Sequence, residues 1–149
     1  MSAQPHASRF SVLSALFNVL DPIQYGFFVA TLVFDVIYFN TAIILWVKSA
    51  SWLVTMGLLF AIVPQLINLA AVWFSKPVVR SRARVIDFWL NVVAIIAAIV
   101  NAFVHSRDAY AVMPDGVWLS VVTVLAMAIG RIVLSGERTI FRGVSHGQV

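Results

Sequence analysis

DFWLNVVAIIAAIVNAFVH, running from Asp87 to His105, decides the fold. Together with Ile86 it is an apolar segment long enough to cross a bilayer, whose hydrocarbon core of roughly 30 Å takes roughly 20 residues at about 1.5 Å each. Its small and polar residues are ordered: Asp87, Asn91, Ala94, Ala98, Asn101 and His105 follow at spacings of four, three, four, three and four, which is one helical face. Lipid gains nothing from such residues, whereas a neighbouring helix backbone can approach and hydrogen-bond them. The spacing therefore predicts a transmembrane helix whose polar face looks into a bundle.

Three further segments are of the same kind: Pro22 to Trp46, Trp52 to Phe74 and Val117 to Leu134. In the second span Gly57, Ala61, Pro64, Gln65 and Asn68 form a stripe, and in the fourth Ser120, Thr123, Met127, Gly130 and Arg131 do so more loosely. Hydrophobic residues make up 62% of the chain and charged ones 11%, with a mean hydropathy of +0.97. No water-soluble fold of 149 residues hides that much apolar surface. The expected architecture is all-α, an integral membrane bundle of four transmembrane helices preceded by a short interfacial helix. Residues 1–21 form the N-terminal arm, 22–134 the transmembrane domain and 135–149 a cytoplasmic tail.

In the arm, Phe10, Leu13, Leu16, Phe17 and Leu20 follow helical spacing opposite Ser11, Ser14 and Asn18, which suits a helix lying in the interface. Asn18 and Asp21 interrupt the apolar stretch and no small-residue cleavage site follows, so it reads as retained. Asp21-Pro22 is expected to end it, with Pro22 opening the first span. Basic residues set the orientation. Arg9, the loop residues Lys76, Arg80, Arg82 and Arg84, and Arg138 and Arg142 share one side, against Lys48 and Arg107 on the other. By the positive-inside rule both termini are cytoplasmic, and the basic loop contacts anionic lipid rather than nucleic acid.

Within the bundle the candidate polar sites are Asp35, Gln65, Asn68, Asp87, Asn91, Asn101 and Arg131. Counting from the cytoplasmic end puts Asp35 near the midplane and Gln65, Asn68, Asp87, Asn91 and Arg131 toward the cytoplasmic side, which biases the polar interior to that half. A carboxylate in hydrocarbon costs at least ~2.5 kcal/mol, so Asp35 is protonated, paired or wetted. One reading makes it a proton or cation site. The other makes it a hydrogen-bonding lock between the first helix and Gln65 or a donor on the third or fourth helix. Asp87 and Arg131 sit at similar depth and are expected to pair, unless Arg131 snorkels to the headgroups.

Chemistry that requires cysteine is excluded, since the chain has none. His6, His105 and His146 lie in the arm, at a span end and in the tail, which does not suit haem ligation between two spans. No metal triad, nucleophile with a base, or phosphate-binding glycine loop is present in the sequence. The expectation is no cofactor, no metal and no catalysis.

The run SGERTIFRGVSHG, with Gly136, Glu137, Phe141, Arg142, Gly143 and Val144, resembles the closing signature of a family of small four-helix bacterial membrane proteins, domain of unknown function 2231. Asp21-Pro22 followed by VATLVFDVIY, Val29 to Tyr38, resembles the family's opening, where a His-Pro pair precedes an apolar helix bearing an aspartate. The basic loop leading into DFWLN resembles its third span, where a histidine stands four residues before an asparagine. Here Asp21 and Asp87 occupy the positions of those histidines, so any group the family's histidines hold is lost from this member. The resemblance implies a bacterial cytoplasmic-membrane protein of unassigned activity, in some genomes encoded near soluble dehydrogenases, which fits an accessory or anchoring role.

Two functions are expected from these residues. The first is a non-catalytic accessory, anchoring or scaffold subunit, packing against itself as a homo-oligomer or against a larger membrane complex. The second is a small proton-coupled transporter of lipophilic cations with Asp35 as its shared site, since four spans and one acid in the first are the gross features of small multidrug transporters.

Overall fold

The computed structural model describes residues 6–74, 81–107 and 111–146, with side chains for 12–74, 81–107 and 111–136. Four helices alternate in direction: α1 (His6–Thr41), α2 (Ile44–Trp73), α3 (Arg82–His105) and α4 (Asp115–His146). Each is long and apolar enough to span a bilayer. They form a ring in chain order, with α1 packed closely on α2 and α3 on α4, while the two hairpins meet more loosely along α2–α3 and α1–α4. One end of the bundle carries the Ala42–Ile43 turn and the α3–α4 connection, and is called the turn end below. The other, the terminal end, carries the start of α1 and the end of α4.

Each helix turns one face inward at the spacing of a left-handed bundle. On α1 this face is Gln24, Phe28, Thr31, Asp35 and Tyr38; on α2 it includes Val47, Ala50, Val54, Gly57, Ala61, Pro64 and Asn68. On α3 it contains Asp87, Asn91, Ala94, Ala98, Asn101 and His105. The middle of the core is apolar: Phe28, Val54, Ala94, Ala98, Ala126 and Met127. Gly57 is what admits Phe28, because a Cβ there would stand 2.7 Å from the ring. Trp52 and Trp118 toward the turn end, and Trp73 and Trp89 toward the terminal end, face outward, where indoles suit the two membrane interfaces. Trp46 instead turns in, edge-on to Phe34 at 5.2 Å.

Three expected boundaries move. Asp21-Pro22 does not end a separate interfacial helix: α1 runs through Pro22 without a break. Pro22 withdraws one N–H from the ladder, a loss that a membrane helix tolerates. The first turn comes at Ala42–Ile43 rather than after Trp46, so Trp46 and Lys48 belong to α2. No glycine or proline announces this turn. Ala42 adopts a left-handed φ of 54°, its N–H donates to the Tyr38 carbonyl at 2.8 Å, and the Thr41 hydroxyl accepts from the Ile43 N–H at 3.4 Å. Finally, α4 continues as helix through residues 135–146, which sequence assigned to a tail. Of the basic loop, Arg82 and Arg84 open α3, where Ser81 caps the helix by accepting the Arg84 N–H at 3.2 Å. Lys76 and Arg80 lie outside the described residues.

Candidate functional site

The polar interior is divided into two clusters separated by the apolar middle. The first lies at the turn end, around Asp35. Because α1 ends at Thr41, Asp35 is only six residues from its end, about 9 Å along the axis. It therefore lies nearer the turn end than the middle of the bundle, and the polar interior extends into both halves.

Asp35 is fully buried and each of its oxygens is engaged. Oδ1 lies 2.8 Å from His105 Nε2, and Oδ2 accepts the Ser120 hydroxyl at 2.6 Å. Ser120 Oγ in turn accepts from Asn101 Nδ2 at 2.8 Å. His105 Nδ1 is 2.9 Å from the Asn101 carbonyl. These partners fix the protons. The Asn101 carbonyl can only accept, so His105 Nδ1 carries a hydrogen. The Ser120 hydroxyl is spent on Asp35, so a single proton remains for the Nε2···Oδ1 contact. Whether it resides on the ring or on the carboxyl, the pair has no net charge. Neutrality of this kind is what makes an acid and a base tolerable in hydrocarbon. The network ties α1, α3 and α4 together at one level.

The second cluster lies at the terminal end. Arg131 on α4 does not pair with Asp87. Its Nη1 and Nη2 reach Asp21 Oδ2 and Oδ1 on α1 at 2.5 and 2.9 Å, and Nη2 also donates to the Asp21 carbonyl at 3.3 Å. The planar guanidinium takes both oxygens of the Asp21 carboxylate at once, while Asp87 is held by amides. Tyr25 lies under the guanidinium, 5.0 Å from ring centre to Cζ, which adds a cation–π contact. Gln24 Nε2 donates to Asp21 Oδ1 at 2.9 Å.

Asp87 has amide neighbours instead. Asn91 Nδ2 donates to its Oδ1 at 3.1 Å and to its carbonyl at 2.8 Å, and Asn68 faces it from α2. Asp87 packs against α4 at Gly130, where a Cβ would come within 2.7 Å of its Oδ1. Asp35 takes the expected donors on the third and fourth helices, His105 and Ser120, and Gln65, its other expected partner, donates to Asn91 Oδ1 at 3.3 Å. A cavity of about 240 Å³ opens among all four helices here, lined by Asp21, Gln65, Asn68, Asp87, Asn91 and Arg131 with Pro64 and residues of α1 and α4 around them.

Of the residues singled out in sequence, Asp35 and Asn101 thus fall in the turn-end network, and Gln65, Asn68, Asp87, Asn91 and Arg131 around the terminal-end cavity. His105, Ser120 and Asp21 were not singled out as sites. For His105 the signal was present: it closes the polar stripe of α3 as that helix's last residue, and it meets Asp35 because α1 ends six residues beyond the acid. Among the described residues, no group of three or more His, Asp or Glu is placed to hold a metal.

The fold and its interior define an integral membrane four-helix bundle. Residues 19–146 match the family described as "Predicted membrane protein (DUF2231)", and the chain belongs to that family. Comparison with curated proteins and with solved structures gave no match. Asp21 and Asp87, the two positions at which the resemblance leads to histidines, line the same cavity.

Proposed function

We propose that this membrane protein is a non-catalytic accessory, anchoring or scaffold subunit of a bacterial cytoplasmic membrane, with both termini on the cytoplasmic side, packing against itself or a larger membrane complex. The observation that carries the reading is the closure of Asp35. Its carboxyl is fully buried and both oxygens are taken by side chains of the same chain. A proton-coupled carrier needs an acid that meets substrate and solvent in turn. Asp35 does not line the terminal-end cavity and spends its hydrogen bonds on helix packing. The basic residues gathered on the terminal side support the orientation, which a C-terminal reporter active on only one side of the membrane tests.

The functional test is reconstitution into vesicles with an imposed pH gradient and a lipophilic cation. The subunit reading expects no flux with the native protein. Proton-driven flux that disappears in Asp35→Asn overturns it in favour of the transporter.

A further inference from the structure

Beside the terminal-end cavity, one turn farther toward the middle of the membrane, an apolar groove of about 320 Å³ runs between α2 and α3. Thr55, Leu58, Leu59 and Ile62 line it on one side and Ile95 and Ile99 on the other. Gln65 borders both the cavity and the groove. We propose that cavity and groove together hold one membrane phospholipid with an amine headgroup, its ammonium against Asp87 and one acyl chain along the groove.

The two spaces follow one another along the helices. Asp87 lies five residues into α3 from the terminal end, about 8 Å deep, so the polar cavity is near the level of headgroups. From Gln65 to Thr55 the groove then descends ten residues, about 15 Å, toward the bilayer centre. Polar outside and apolar inside, in line with the helix axes, is the orientation of a lipid in that leaflet. The cavity exceeds by far the ~10–15 Å³ that a single water requires.

Charge decides the headgroup. Arg131 is the cavity's basic residue among the described ones, and Asp21 occupies both of its terminal nitrogens. That pair is neutral as a unit. Asp87 has amide partners and, among the described residues, no cation in hydrogen-bond contact. Among its described residues the cavity therefore sets two carboxylates against one guanidinium, and Asp87, which feels Arg131 only at a distance, stands together with the oxygens of Gln65, Asn68 and Asn91 as a set that suits three ammonium hydrogens. An anionic headgroup would meet that carboxylate as a like charge. At the junction, the Gln65–Asn91 hydrogen bond is long, at 3.3 Å, and is the contact a bound lipid would part.

Native mass spectrometry of the detergent-purified protein, offered phosphatidylethanolamine and phosphatidylglycerol with identical acyl chains, tests the proposal. The native protein should retain the ethanolamine lipid about fivefold or more over the glycerol lipid, the worth of a modest ion pair. Asp87→Asn should bring that ratio close to one. Ile62→Trp fills the groove from a position already 54% exposed, so it leaves the fold intact and should lower occupancy by both lipids. Equal or better retention of the glycerol lipid by the native protein, persistence of the preference in Asp87→Asn, or unchanged occupancy in Ile62→Trp would each overturn the assignment.

Discussion

Replacing Asp35 with alanine removes the acceptor of two short hydrogen bonds, from Ser120 at 2.6 Å and across the His105 contact at 2.8 Å, at a site with no access to water. Each abandoned partner is buried and costs about 1–3 kcal/mol when unsatisfied, and breaking a buried pair from one side typically costs ~3–5 kcal/mol in all. For a chain of this length that corresponds to a fall in melting temperature on the order of 10 °C. Asp35→Asn behaves differently, for a reason set by the protons. The amide oxygen accepts from Ser120 as before, and the amide nitrogen donates to a neutral His105 whose other nitrogen keeps its hydrogen for the Asn101 carbonyl. Every bond survives, so the expected cost is below about 1 kcal/mol. Thermal unfolding of the two variants in one detergent, followed by circular dichroism, measures the gap. Equal melting temperatures for Asp35→Ala and Asp35→Asn would refute the network.

Other expectations follow from single contacts. Asp21 and Arg131 should show a coupling of about 1–2 kcal/mol in a double-mutant cycle, limited by the 31% exposure of the Arg131 side chain, whereas Asp87 and Arg131 should couple more weakly. Gly130→Ala should destabilise by about 1–3 kcal/mol because its Cβ meets Asp87, while Gly26→Ala, with nothing within 4 Å, should be neutral or stabilising; melting curves distinguish them. Ala42→Gly should stabilise by up to about 1 kcal/mol, since alanine is strained at a φ of 54°, and a lowered melting temperature would argue against that turn.

The inward face of α3 was legible because a helix repeats on a fixed spacing, and six residues from Asp87 to His105 kept it. Local sequence could not show which residues meet across the bundle. Asp35 meets residues 70 and 85 positions away, and Arg131 meets Asp21 across 110. The depth of Asp35 was misread for a definite reason. The turn at Ala42–Ile43 has no glycine or proline, and the apolar run continues through it, so the first span was drawn past its end. That single shift placed Asp35 at the midplane and hid its closeness to His105. In the other direction, Pro22 reads as a helix start because proline suits a first turn, yet it sits inside a continuous helix.

Asp35 is sealed inside the bundle, with both carboxyl oxygens spent on packing contacts. Carboxyl labelling with an apolar carbodiimide in native membranes, read by mass spectrometry of the peptide carrying residues 22–46, tests this most directly. Asp35 should stay unmodified in the folded protein and become reactive only on denaturation. Labelling of Asp35 in the folded state, relieved by an added lipophilic cation, would contradict it and identify an open site.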